Sequence, residues 1–551
     1  MKCTTIAVLC SALLIPSLTW ASADSVKLDG HSLTLDDAWA IAHEGKSVVI
    51  AEDALTKVEK ANELLMVAAG KGVPVYGLTV GVGLNKDKSL FDAHGQLTPD
   101  VLKASHEFNV NALRAHAAGV GPYMPDDLVR MVMVIRLNTL LLGTTGAQPH
   151  VAELYQQLLN HNITPLIPSR GSVGEADITL ASHIGDVMMG EWRVRVNGKE
   201  MMASDALKQA GIKTLDPVGK DALSILSTNA VSTAYSAKAL LDSRQIINIT
   251  PAVFGLSLEG LNGNVAPFLE QSLSVRPFPM MQEPATHLRD ALNGSYLWEK
   301  QEGRALQDPL SFRTTVFVLN EARKEWQQAH EMLKIQMNSS DDNPAVILDA
   351  DTALTEHSQV AQYFVKSDAV SGAIFPTSNF EPLPLALAVQ NLSLAMGHLA
   401  HNSVQRTLHL SDDHFTGLSR FLSAEGNNGH AFGAIQKPQV ALLSDIRELV
   451  NPVSLDGQPM AGTIEDTYTN NLRASKRLSQ IADNMTYIYG LELLHATQAV
   501  DLRREKMPTL TLGETTAQLY QAFRAKVPFV SQDRIYSDNI EEGARLVNQY
   551  K

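Results

Sequence analysis

Thiols are almost absent from this chain of 551 residues. Its two cysteines are Cys3 and Cys10, and both fall in a segment that reads as a removable leader. Met1-Lys2 gives a short positive start, and Thr5 to Trp20 is an apolar run broken by Pro16. Ala21-Ser22-Ala23 is a small-x-small cleavage site, so the mature chain is expected to begin at Asp24. Export to the periplasm or beyond follows as an expectation. A mature chain without cysteine has no disulfide, no thiolate metal ligand and no cysteine nucleophile, which suits an oxidising compartment. Lipid attachment at Cys10 fits poorly, because Leu9 is large where a small residue is wanted.

Basic tracts are missing too. The 45 Lys and Arg are scattered among 59 Asp and Glu, for a formal charge of -14, so nucleic acid is not an expected partner. The leader's apolar run is short for a membrane span, and no later stretch reads as one. Compact metal-ligand sets are lacking: His401, His409, His414 and His430 share a stretch but form no close-spaced pair. Internal repeats and low-complexity linkers are also absent.

What is present is 45% hydrophobic residues, mostly at helical spacing. Thr34 or Asp36 caps a first helix. Helical runs follow over 55–69, 101–118 and 128–142, and Asn197-Gly198 marks a hairpin between residues 192 and 202. Longer runs cover 221–241, 310–337, 383–407, 438–450 and 467–502. The expected fold is mostly α, an elongated bundle of long helices behind a loop-rich N-terminal part. The expected division is a leader over 1–23, the loop-rich part over 24–220 and the long helices over 221–551.

Two glycine-rich loops carry the chemistry. Gly171-Ser172-Val173-Gly174-Glu175-Ala176-Asp177 bends tightly into a helix over 178–190, where amide N–H groups are free. Val75-Tyr76-Gly77-Leu78-Thr79-Val80-Gly81-Val82-Gly83 places one tyrosine at the head of a loop. By composition the second is an ordinary surface turn, and it lacks the strand and Lys-Ser/Thr of a nucleotide loop. Together and in this order they resemble the loops of the histidine and aromatic amino-acid ammonia-lyases.

More segments match in family order: Asn111 to Gly121, Gln307 to Arg313, Asn338 to Pro344, Ser378 to Pro382 and Ile464 to Asp466. The resemblance spans roughly residues 35 to 510. It implies the fumarase/aspartase-like superfamily architecture, a small-molecule substrate, and a homotetramer with sites drawing on several subunits. It also implies Tyr76 as the base that removes the β-proton and Arg313 as the grip on the substrate carboxylate. His116, Asn343 and Phe380 are implied to lie near the substrate, with Glu465 facing its ring. Each residue also has a plainer reading: His116 as a helix histidine bonded to its own helix, Arg313 in a structural ion pair, Asp341-Asp342 as a capped turn.

The departures from the family pattern are informative. Where the family has an Ala-Ser-Gly triad that cyclises into an electrophilic methylidene-imidazolone, this chain has Glu175-Ala176 before Asp177, and the stretch from the turn to His183 is one residue shorter. A supporting asparagine is Ser227, a tyrosine is Leu310, and the Phe380-Glu381-Pro382 segment is contracted. Lys437 stands where the family is usually apolar; it is either a cation facing the Glu465 region or a surface lysine. No prosthetic group is therefore expected.

A substrate whose amine leaves unaided suits such a site. The pattern resembles the family's branch of ergothioneine trimethylammonia-lyases, which release trimethylamine from a betaine without the electrophile. That resemblance implies Lys437 and Glu465 at the thiol-imidazole. Glu175 then faces the trimethylammonium, or else is simply a glutamate favoured at a helix entry. The alternatives are an exported histidine or aromatic amino-acid ammonia-lyase, and an inactive lyase scaffold that binds an amino acid or betaine.

Overall fold

The computed structural model describes residues 25–79 and 99–550. The leader, with its cleavage site, and the Val80 to Gly83 end of the tyrosine loop lie outside the described residues.

Local chemistry sets where the helices begin. The Thr34 hydroxyl accepts from Asp37 N at 3.0 Å and starts the Leu35–Ala42 helix, while Asp36 and Asp37 favour the positive helix end. The next three expected helices are Glu52–Gly70, Pro99–His116 and Asp126–Leu140. Asn197 and Gly198 turn an antiparallel hairpin of Arg193–Val196 and Lys199–Met202 with φ of 49° and 77°, the left-handed pair that a two-residue hairpin turn needs.

Four long helices form the bundle: Ala230–Leu261, Thr315–Met337, Leu383–Leu410 and Asn471–Lys506. The last is its axis, since every residue from Ile488 to Val500 is buried, as expected of a helix enclosed on all sides. It packs against Ala230–Leu261, Leu383–Leu410 and the C-terminal Ser537–Gln549 helix. Gly490 permits the last crossing: a Cβ there would lie 2.8 Å from Ala544 N. By length and composition the Leu383–Leu410 helix resembles a membrane span, but 56% of its most apolar window is buried inside the bundle.

The helical run expected over 221–241 is interrupted. Asp221–Leu226 ends before Ala230–Leu261 begins. At the break, Asn229 N donates to Asp341 Oδ2 at 2.6 Å and Ala230 N to Thr228 Oγ1 at 3.1 Å. Side-chain oxygens thus take over backbone donors that a continuous helix would have used. The run over 310–337 likewise divides into Leu310–Arg313 and Thr315–Met337. A small antiparallel sheet of Ala345–Leu348, Ser371–Phe375 and Phe364–Lys366 was not expected from periodicity. With the Glu52–Gly70 helix and Val75 and Leu78 it encloses a second apolar core.

Candidate active site

A buried polar floor underlies the Gly171 loop. Arg136, fully buried, donates to Asp341 at 2.9 Å and to Asp342 at 3.0 Å, and its Nε reaches Ser224 O at 3.0 Å. Thr145 adds a 2.6 Å bond to Asp342. Lys220 spans Thr145 O at 3.0 Å and Pro344 O at 2.8 Å, and burial lowers its ammonium to about 8. Burial alone would raise both aspartates. For Asp342, Arg136 and Lys220 outweigh it and the carboxyl is lowered, whereas Asp341, beside Asp342, stays raised. The floor ties the chain before residue 220 to the chain after it.

The Gly171 to Asp177 loop stands on this floor. Asp177 N donates to Thr228 O at 2.7 Å, and the Asp177 carboxylate accepts from Ser232 N at 2.7 Å and from the Ser172 hydroxyl. Full burial still raises its carboxyl to about 6. On the outer side, Asn470 N donates to Val173 O at 2.6 Å. Gly174 has φ +87°, and a Cβ there would lie 2.6 Å from Asn471 N, so both conformation and space demand glycine.

Asn229 links this loop to the next. Its Oδ1 accepts from Ala176 N at 2.9 Å, and its Nδ2 donates to Phe380 O at 2.6 Å. Glu175 and Glu381 are thereby brought together. Glu175 Oε1 is buried and accepts no hydrogen bond among the described residues. Burial first, then the Glu381 charge and Asp177, push the Glu175 carboxyl up to about 8. Glu381 Oε1 is held by Leu383 N at 2.9 Å, at the start of the Leu383–Leu410 helix.

Tyr76 is half-buried in a tight turn. Its turn is tied by Val75 N to Thr79 Oγ1 at 2.6 Å and Thr79 Oγ1 to Val73 O at 2.8 Å. Gly77 packs so closely on the Asp221–Leu226 helix that a Cβ would lie 2.5 Å from Leu223 Cδ2. Asn343 Oδ1 accepts from Thr377 N at 2.9 Å, fixing the segment that leads to Phe380.

The other singled-out residues have immediate partners of their own. Arg313 ends the short Leu310–Arg313 helix, with Nη1 donating to Gln307 at 2.8 Å and a buried Nε without a partner among the described residues. Lys437 is exposed in the first turn of the Gln436–Leu449 helix. Glu465 is exposed, in a loop closed by Met460 N to Glu465 O at 2.9 Å, shortly before the Asn470 anchor. His116 Nδ1 lies 2.7 Å from Ala112 O of its own helix. Among the described residues no group of His, Cys, Asp or Glu is placed to hold a metal.

The sequence reading did not single out Arg136, Lys220, Asn229 or Glu381. Arg136 had a detectable mark, a cation inside the apolar run from Met131 to Leu142; such a residue is buried only with partners. Glu381 was visible only as part of the contracted segment.

The profile of the aromatic amino acid lyase family matches residues 33–525. A histidine ammonia-lyase of Chloroflexus aurantiacus is 31% identical over 96% of this chain and 97% of its own length. One from Halalkalibacterium halodurans is 30% identical over 94% and 95%. The crystal structure of ergothionase from Treponema denticola, an ergothioneine-degrading enzyme in complex with desmethyl-ergothioneine sulfonic acid, is 38% identical. It superimposes with a TM-score of 0.85 over 95% of this chain and 99% of that one. Histidine ammonia-lyase from Trypanosoma cruzi, at 23% identity and a TM-score of 0.81 over 95% and 93%, shares the fold.

Proposed function

The chain belongs to the aromatic amino acid lyase family and is a carbon–nitrogen lyase, and from that premise we propose that it eliminates trimethylamine from ergothioneine to leave thiolurocanate. The observation that carries the reading is Glu175-Ala176, one residue short and before Asp177, at the place of the family's cyclising triad. The residues there do not fit a methylidene-imidazolone. No serine stands between Ala and Gly to dehydrate, and the Asp177 carboxylate is already committed to Ser172 and Ser232. The 38% identity to ergothionase over nearly the whole chain supports the same reading.

Elimination has two difficulties, a weakly acidic β-proton and a poor leaving group. A quaternary nitrogen removes the second. The Tyr76 oxygen takes the β-proton as general base. The C–H electrons form the double bond, the C–N bond breaks, and its electrons leave with neutral trimethylamine. Arg313 holds the carboxylate, to which a planar guanidinium with unused donors is suited. Lys437 and Glu465 hold the thiol-imidazole, with Lys437 near sulfur to stabilise the charge that gathers in the ring. His116, Asn343 and Phe380 shape the surroundings. Glu175 opposes the trimethylammonium charge.

The reading includes a homotetramer in which neighbouring subunits complete each site. Export after cleavage at Ala23 places the enzyme outside the cytoplasm. The test is incubation with ergothioneine, following trimethylamine and the ultraviolet band of the conjugated product. Trimethylamine release is expected; its absence, with ammonia released from histidine instead, would favour the histidine ammonia-lyase reading that the 31% identical relative suggests.

A further inference from the structure

Two loops that are shorter than the family pattern each bring a glutamate to the same place. The chain is a residue short between the Gly171 turn and His183, and contracted between Phe380 and Pro382. Asn229 joins the two loops by bonds of 2.9 Å and 2.6 Å, and Glu175 and Glu381 meet beside that bridge. Other charged groups around Glu175 are Asp177, in the same loop, and beyond it Asp341, whose charge Arg136 answers at 2.9 Å. Neither glutamate has an ion-pair partner among the described residues. Asn471, fully buried beside Gly174, likewise has an Oδ1 with no donor.

The two carboxyls differ in environment. Glu381 is exposed and accepts from the Leu383 amide at a helix start. Glu175 is desolvated and lacks a donor, which favours its acid form. An unliganded pair therefore shares one proton, carried by Glu175 and donated toward Glu381. A trimethylammonium group has a permanent charge and no N–H, so it asks for negative oxygens that are not already matched by a cation. An ordinary α-ammonium group would instead seek hydrogen-bond acceptors.

We infer that Glu175 and Glu381 together form the receptor for the quaternary ammonium group, and that binding of the cation expels the proton they share. The step balances: protonated pair plus cation gives the doubly ionised pair with its cation and one released proton. Glu381 is thus a specificity-determining residue. The inference rests on the elimination reading for its substrate, but the receptor is testable without turnover. Binding should tighten as the pH rises toward about 8, where the Glu175 proton is lost more easily.

The experiment is calorimetric titration of the full-length protein with tetramethylammonium chloride at pH 7. Two buffers of different ionisation enthalpy give the number of protons released. Glu175→Gln and Glu381→Gln are measured alongside, with a thermal melt to establish that each is folded. Wild type should release a proton on binding; Glu175→Gln should release none, Glu381→Gln less than wild type, and each should bind at least about tenfold more weakly. Equal proton release and affinity in wild type and Glu381→Gln, or no release in wild type, would overturn the receptor. If proton release is found but ergothioneine yields no trimethylamine, the receptor stands and the substrate assignment falls.

Discussion

Glu492 is fully buried and Glu175 half-buried, and the two keep different company. Glu492 lies in the middle of the bundle, accepting from Ser257 at 2.7 Å, from Arg406 at 2.6 Å and 2.9 Å, and from the Ser403 hydroxyl. Every demand of its charge is met inside the fold. Glu175 stands on a floor equally rich in charge, where Arg136 answers Asp341 and Asp342, yet no cation answers Glu175 itself among the described residues. A buried charge that is fully matched holds elements together; a half-buried carboxyl left without a cation is available to a cationic ligand.

The contrast can be broken most strongly on its structural side. Glu492→Ala leaves the Arg406 guanidinium buried without its carboxylate and should cost about 3–5 kcal/mol, read as a fall in the urea midpoint. Tyr76→Phe should leave that midpoint nearly unchanged while lowering kcat by about 10²–10⁴, with ligand affinity retained, as expected for loss of a general base. Lys437→Met should lower kcat/KM by about ten- to a hundredfold by removing charge stabilisation at the ring, visible in steady-state rates on ergothioneine.

The smallest effect concerns Glu175 in the free protein. Its carboxyl rises from 4.5 to about 8 on folding. Between those values the native state binds more protons than the unfolded chain, so this residue lowers stability as the pH rises through that window. Half-exposure to water keeps the slope modest. Glu175→Gln should melt at a higher temperature than wild type near pH 8 and at nearly the same temperature near pH 4.5. A variant less stable than wild type at pH 8 would place Glu175 with Glu492 as a structural residue.

Much of this was legible in the residues. The long helices follow from apolar spacing, the hairpin from Asn197-Gly198, and the loops from glycines at Gly77 and Gly174 that have no room for a side chain. The family profile and the ergothionase structure bear out the resemblance read from ordered motifs. The break at residues 227–229 was hidden because apolar spacing continues across it, and its cause, Asp341, lies more than a hundred positions away. Arg136 was marked only as a cation in an apolar run, its partners being remote in sequence. The sheet around residues 345–375 escaped because its strands are too short to show a period. Local pattern reports what a residue prefers, and these features depend on what it meets.

The amide of Asn229 acts as a gauge block between the Ala176 and Phe380 segments. One rigid planar group touches both, so neither loop can be recut alone without losing a bond that the other helps to set. Lengthening one of them toward the family pattern, with the other left short, would strand one end of that amide. A change of substrate class in this scaffold therefore travels through paired insertions or deletions, with the floor beneath left untouched.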